Sequence, residues 1–509
     1  MISRILERLK CGVQPLVPTG GTQERTVKSG LWSAITNVSD RVLQLVMVVV
    51  LARLLDPNDF GLLGIALLII AVLKRFTDLG LNTALIQKED TNVDQYMDTV
   101  WALQIARGLG IFALSFAAAP HVATFFGEPR VTDILRVISV SPLLLGVRNP
   151  YIVYLRKDLE FHKQFVYRVS GTVVQVTVGV ILAVLLRSVW ALVAANLAAQ
   201  ITRTAVSYAL SSSRPSLGFD RSNARDLFSY GKWITGLSVF GFLFAQGDDA
   251  FVGWFLGATA LGYYQIAYQI ARSPATEVTN VLSRTMLPSY SKLQNDTKSL
   301  RRAYFKVLTL SVSVSAPMTV GIVVVAPDFV EVFLGSDWLP AVGLMQVLAV
   351  WGYLLSIGAA SGPLLQAIGR PDFTTKATVA KTLVLAVLIY PATDAYGVLG
   401  TAVAVVASAA VTSEPYIAYT VISELQASVR TFLWRIGVPT VASLAMGAAV
   451  LGVKWLIPIE QGLFVFVGLV FAGVVSYAAI LLSLDRAVGY GIRPILATIV
   501  RRGEAPDGA

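Results

Sequence analysis

Apolar residues along this chain come in long blocks, cut at short intervals by Pro, Gly and small polar residues. The few polar positions within the blocks recur at helical spacing. The stretch 29–90 sets the pattern: two apolar helices joined at Asp56-Pro57-Asn58-Asp59, where Pro57 cannot continue a helix and its short polar neighbours favour a turn. Each helix is long enough to cross ~30 Å of hydrocarbon. In the first, Ser33, Asn37, Asp40 and Gln44 fall at i, i+4, i+7 and i+11, with Arg41 one turn beyond Asn37. That draws one polar stripe along a greasy helix. In the second, Lys74, Asp78 and Asn82 repeat every four residues, with Arg75 beside them. Such helices need water on one side and lipid or protein on the other, so they line a cavity in a membrane.

The same periodicity and the same breakers predict fourteen spans: 29–54, 60–86, 97–120, 131–155, 165–186, 190–212, 228–256, 260–288, 303–326, 341–367, 373–391, 396–421, 433–453 and 462–484. The longest connections, 213–227, 289–302 and 327–340, are too short for a soluble domain. The chain also repeats itself at an offset of 201: Gly30, Trp32, Val38, Leu55, Gly61, Ile65, Ala66, Ile69 and Leu81 recur as Gly231, Trp233, Val239, Leu256, Gly262, Ile266, Ala267, Ile270 and Leu282. Helices 1 and 7 both enter from the same side, so the repeats run parallel, about an axis along the membrane normal. The predicted fold is an all-α membrane protein of two parallel six-helix lobes related by that pseudo-twofold axis, 29–212 (helices 1–6) and 228–421 (helices 7–12). Two extra C-terminal helices occupy 433–484, and tails 1–28 and 485–509 flank the whole. The first tail does not resemble a cleavable signal peptide. It reads either as a disordered cytoplasmic tail or as a short interfacial helix with Ile2, Ile5, Leu6 and Leu9 on its apolar side.

Composition agrees. Of 509 residues 55% are hydrophobic and 14% charged, with mean hydropathy +0.66, where soluble domains carry about 25% charged residues. The net charge of +10 does not point to nucleic acid, because the basic residues are not gathered on one soluble unit. It gives orientation instead. With the N-terminus cytoplasmic, inside segments and helix ends hold 28 Lys/Arg and outside segments only Arg130, Arg187 and Lys454, while Asp328, Glu331, Asp337 and Asp394 make the outer loops acidic. An even helix count then places both termini on the cytoplasmic side of the plasma membrane. A single cysteine, Cys11, excludes an intramolecular disulfide and argues against a thiolate metal site. Two histidines, His121 and His162, leave little for His-based catalysis. No metal and no cofactor is expected.

Ten basic residues remain inside predicted helices: Arg41, Arg53, Lys74, Arg75, Arg107, Arg136, Arg148, Arg203, Arg272 and Arg284. Facing lipid at mid-membrane, each would cost ~2.5–3.5 kcal/mol. Arg41, Lys74, Arg75, Arg107 and Arg272 lie there, so they must face water, a partner charge or a ligand. Lys74 and Asp78 have ion-pair spacing and could clamp helices together. Arg41, Arg75, Arg107 and Arg136 have too few acids in their lobe to satisfy them, which points to a cationic cavity for an anionic headgroup, phosphate above all. Helix 8 presents Gln265, Gln269, Arg272 and Thr276 as a hydrogen-bonding stripe, with Tyr263, Tyr264 and Tyr268 nearby. Gln265, Gln269 and Tyr268 suit a glycan surface, although tyrosines in membrane helices also serve as packing or interface anchors. Asp40, Asp78 and Asp249 are coupling-ion candidates, with capping or pairing as the other role for Asp249.

The run LARLLDPNDFGLLGIALLIIAVLKRFTDLGLNTALIQKE, notably Leu51–Gly61 and Phe76–Leu85, resembles the start of the oligosaccharide and polysaccharide flippases (Wzx-like) of the multidrug/oligosaccharidyl-lipid/polysaccharide exporter superfamily. The resemblance implies a transporter, not an enzyme. It would move a polyprenyl-linked oligosaccharide from the cytoplasmic to the outer leaflet by alternating access, for polysaccharide biosynthesis. Its partners would be membrane lipids and the polymerase or glycosyltransferases of the same pathway. Two alternatives stand beside it. An ion-coupled multidrug exporter of the same superfamily would call for an acidic cavity, since its cargo is typically cationic. A membrane glycosyltransferase or polymerase would call for a large outer loop or a carboxylate pair in one, and Asp328 and Glu331 do lie in the 327–340 loop.

Overall fold

The structure, a computed structural model, describes residues 22–77, 94–158, 160–216, 218–220, 246–272, 286–456 and 462–492. The regular elements among them are helical. Nine helical segments among the described residues are long and apolar enough to cross a membrane, so the chain is a multi-pass membrane protein. It divides into two compact units, residues 1–262 and 263–509.

In the first unit, α1 (Thr22–Ala52) and α2 (Pro57–Phe76) are separated by the expected turn. Pro57 opens α2, where its missing N–H costs nothing and its fixed φ suits a helix. Then come α3 (Asp94–Phe126), α4 (Val131–Ile138) and α5 (Val140–Gly146). A 3₁₀ turn at Pro150–Val153, α6 (Phe161–Leu186) and α7 (Val189–Leu210) follow. The single span expected over 131–155 is therefore broken. Pro150 bars Asn149 from helical geometry, and the Asn149 side chain accepts from the Tyr151 backbone N–H at 3.0 Å. The α1, α6 and α7 helices pack together, and Leu51, Leu55, Ala183, Ala191 and Leu192 close one buried cluster.

Residues 246–262 complete the described part of this unit, as helix interrupted at Gly257 (φ +83°). Here the 201-residue offset becomes geometry. A Cβ on Gly61 would lie 1.7 Å from the Ala258 carbonyl oxygen, and one on Gly262 would lie 2.0 Å from that of Pro57. Positions 57 and 258, like 61 and 262, are equivalents in the repeat, and so are Asn58 and Thr259, whose side chains hydrogen-bond at 3.1 Å. The two backbones touch reciprocally, at residues where only glycine fits.

The second unit contains α8 (Thr297–Phe329), α9 (Ala341–Ala367), α10 (Asp372–Ser408), α11 (Glu414–Glu424), α12 (Val429–Leu456) and α13 (Leu463–Val488). A π turn follows α8 at Val330–Leu334 and another precedes α11 at Ala409–Ser413. The break expected between 391 and 396 falls at Gly397 (φ +59°), inside α10. The chain folds back there, bringing the Thr393 and Thr401 hydroxyls to 2.7 Å. The α8 helix starts six residues earlier than the 303 expected, because Asp296 caps it, accepting from the Lys298 and Ser299 backbone N–H groups. Tyr304, Leu308, Val312, Leu364 and Val421 form the core. Ser356 hydroxyl donates to the Ser315 hydroxyl at 2.6 Å, and Ser311 to the Ser356 carbonyl at 2.7 Å, a small-residue seam between α8 and α9. Phe464 (92% exposed) and Phe471 (70%) on α13 present apolar surface that requires lipid.

Candidate anion-binding cavity

The first unit holds a polar cavity of about 470 Å³ in the half away from the Asp56–Asp59 turn. Lys74 lies seventeen residues beyond Pro57 on α2, about 25 Å along a helix. Asp40 and Gln44 enter from α1, Lys74 from α2 and Gln104 and Arg107 from α3. Arg148 lies beyond α5, Gln164, Tyr167 and Arg168 on α6, and Arg203 on α7. Among the described residues, five cations therefore face one carboxylate.

That carboxylate, Asp40, is committed. It is buried, pairs with Arg168 Nη2 at 2.8 Å and accepts from the Thr172 hydroxyl at 3.0 Å. Arg203 Nη2 donates to Thr172 Oγ1 at 3.2 Å, so Asp40 holds its neighbours in a chain. Arg107 and Arg148 donate to neutral groups among the described residues. Arg107 donates to the Lys74 carbonyl and, through Nε, to Thr77 Oγ1 at 3.0 Å. Arg148 donates to the Tyr167 hydroxyl at 2.8 Å and to Gln200 Oε1, while its own Nε is buried without a partner. Gln164 Oε1 is likewise buried and unpartnered. The Lys74 ammonium makes no hydrogen bond or ion pair among the described residues, and its charged neighbours are Arg148 and Arg107. Like charges this close, with donors aimed into a shared space, raise the energy of the empty cavity and lower that of one holding an anion.

The sequence-derived residues distribute unevenly. Lys74, Arg107 and Asp40 line the cavity; Arg41, Arg75 and Arg136 do not. The reason is angular: the wall takes Asp40 and Gln44 from α1 and Lys74 from α2, and a helical residue one step on points about 100° away. Arg75 is exposed. Arg136 instead lies over the Phe116 ring at 5.1 Å. Asp78 lies outside the described residues. Asp249 is half-buried in the first unit, beside buried Asp248. In the second unit, Arg272 lies over the Tyr268 ring at 5.4 Å and donates to its hydroxyl at 3.0 Å, and Tyr268 packs against Trp351, Val405 and Ala409. Gln265 is half-buried and Gln269 exposed.

Arg148 and Arg203 stand among the ten basic residues inside predicted helices but not among the expected headgroup ligands, and Arg168 stands in neither set. Two polar stripes carried the signal: Gln164, Arg168 and Thr172 recur every four residues on α6, and Gln200, Arg203, Thr204 and Ser207 share one face of α7.

A family model described as polysaccharide biosynthesis protein matches residues 50–343, more than half of the chain. The chain belongs to this family. Within the polysaccharide biosynthesis protein family, it is 27% identical over 366 residues to the lipopolysaccharide biosynthesis protein WzxC of Escherichia coli, covering 71% of this chain and 73% of that one. It is 26% identical over 363 residues to the succinoglycan biosynthesis transport protein ExoT of Rhizobium meliloti, covering 70% and 72%. Among solved structures, the lipid II flippase MurJ in an inward closed conformation shares the fold. Its TM-score is 0.72 at 15% identity, over 90% of this chain and 99% of that one.

Proposed function

We propose that this protein is a flippase for a polyprenyl-linked oligosaccharide, in which the cavity of Lys74, Arg107, Arg148, Arg168 and Arg203 receives the phosphate or pyrophosphate. Membership of the polysaccharide biosynthesis family and the naming of WzxC and ExoT after glycan assembly and transport support the class of cargo. The observation that carries the reading is the excess of cations over carboxylates among the described residues of the cavity wall. Guanidinium forks fit phosphate oxygens, and a cationic drug would be repelled from the same wall.

In this reading fourteen helices form two six-helix lobes and a C-terminal pair, with both termini cytoplasmic, as the offset repeat and the charge bias support. Gln265, Gln269 and Tyr268 contact glycan, while the lipid tail stays in the bilayer. The lobes rock to expose the headgroup to either side. An inside-negative potential favours outward movement of negative charge by ~2.3 kcal/mol per charge per 100 mV. No bond is made or broken, so the protein works as a transporter and not as an enzyme. The polymerase and glycosyltransferases of the same pathway are its expected partners.

The test is transport of a labelled polyprenyl pyrophosphate-linked saccharide by full-length protein in liposomes. Lys74→Gln and Arg148→Gln are each expected to lower the rate about tenfold or more, the cost of one charge-assisted contact. Arg75→Gln, off the wall, is expected to stay near the parent. Full transport by both cavity variants, with normal insertion, would overturn the assignment.

A further inference from the structure

A second basic recess lies at the end of the second unit that the charge bias assigns to the cytoplasm. It has a volume of about 650 Å³ and is bounded by the first turns of α8, the α11–α12 connection, the start of α12 and the residues after α13. Arg301, Arg302 and Lys306 come from α8 and Arg435 from α12, and no carboxylate lines the recess among the described residues. Two of these cations are held in place by backbone carbonyls. Arg301 Nη1 donates to the Gln426 carbonyl at 2.8 Å. Arg435 Nη1 donates to the Tyr490 carbonyl at 2.9 Å, with the Tyr490 hydroxyl returning a bond to the Arg435 carbonyl at 2.7 Å. Arg302 donates to the Ser299 hydroxyl at 3.0 Å and lies within electrostatic reach of the exposed Asp296 carboxylate, and Lys306 makes no hydrogen bond or ion pair among the described residues. Among the described residues, none of the four forms an ion pair with a carboxylate.

Four cations drawn into one concavity repel each other. Fixing two guanidinium groups by single bonds leaves their remaining donors directed at the shared space. The floor is partly apolar, from Phe305, Ala427 and the Tyr490 ring. Beside it Val429 (56% exposed), Leu433 (60%) and Val488 (50%) face outward as apolar surface on the same helix ends. A soluble phosphate would use the cations and gain nothing from that border. A lipid uses both, placing its phosphate among the cations and its chains along α12 and α13.

We propose that this recess binds the phosphate headgroup of an anionic phospholipid of the inner leaflet. Basic pockets between membrane helices at that level suit such headgroups. The site is separate from the transport cavity, and its occupant is a resident lipid rather than cargo.

The experiment uses the full chain purified in neutral detergent and titrated with dioleoylphosphatidylglycerol, dioleoylphosphatidylcholine or inorganic phosphate. Retained lipid is counted by native mass spectrometry, and the thermal midpoint is followed. Phosphatidylglycerol is expected to bind and stabilise; phosphatidylcholine and phosphate at equal concentration are not. The R302Q/K306Q variant, altered at two exposed side chains, is expected to bind phosphatidylglycerol about tenfold more weakly or worse. R302K/K306R should retain the affinity, and K157Q/K163Q, with the same charge loss in the first unit, should match the parent. Equal binding of the two lipids, undiminished binding by R302Q/K306Q, or the same loss in K157Q/K163Q would each overturn the site. Phosphate acting as well as phosphatidylglycerol would overturn the lipid assignment in favour of a soluble anion. None of these readouts depends on what the protein transports.

Discussion

Asp40 shows how one residue organises the cavity. Its carboxylate takes Arg168 on one oxygen and Thr172 on the other, and Thr172 in turn receives Arg203. Removing the acid leaves two guanidinium groups and a buried hydroxyl to rearrange in a wall already rich in positive charge. Arg168 is 41% exposed at its side chain, so water screens part of the loss. Asp40→Ala is expected to lower stability by about 1–3 kcal/mol, and Asp40→Asn by less, because the amide still accepts from Thr172. Thermal unfolding of the detergent-solubilised variants checks the order. The sequence placed Asp40, Gln44 and Lys74 on cavity-lining stripes, and Arg41 and Arg75 were carried along with them by adjacency. Periodicity identifies a polar face but does not say which side of it the neighbouring helices cover. Arg148 stood among the in-helix cations, but its direction was hidden for another reason: it follows α5 in a segment broken by Pro142 and Pro150, where a uniform helical pattern misassigns direction.

At the scale of elements, the reciprocal contact of Gly61 with Ala258 and Gly262 with Pro57 is a tight backbone constraint. A methyl group at Gly61 would meet a backbone oxygen that cannot rotate away, whereas one at Gly30 would meet nothing within 4 Å. Gly61→Ala and Gly262→Ala are each expected to cost about 1–3 kcal/mol or more through forced separation of the two backbones. Gly30→Ala is expected to be nearly neutral. Yield of monodisperse protein and the thermal midpoint distinguish them, and a tolerant Gly61 would mean that the two segments do not cross there. This crossing was half legible. The offset of 201 marked both glycines as equivalents, but a repeat states likeness and not contact. The helix hairpin at Gly397 was legible for a simpler reason: Pro391 and Gly397 punctuate a run too long for one span. The π turns at Val330–Leu334 and Ala409–Ser413 left no such mark, because one extra residue in a helical turn does not disturb an apolar block.

Across the whole molecule, charge bias predicts an orientation, and α8 offers the cleanest place to measure it. The helix runs over 33 residues from a basic end, with Lys298, Arg301 and Arg302, to an end followed by Glu331 and Asp337. At about 1.5 Å per residue it is long enough to carry its two ends to opposite faces of a bilayer. Asn295 and Ser336 are both exposed beyond those ends. With Cys11 replaced by Ser, a single cysteine at Ser336 should react with a membrane-impermeant maleimide in intact cells. One at Asn295 should react only after permeabilisation. The reversed pattern would place the basic ends outside, against a Lys/Arg distribution of 28 to 3. It would also move the recess of Arg301, Arg302, Lys306 and Arg435 to the outer leaflet. Labelling at both positions in intact cells would instead show that α8 does not span, and the topology built on it would have to be redrawn from that helix outward.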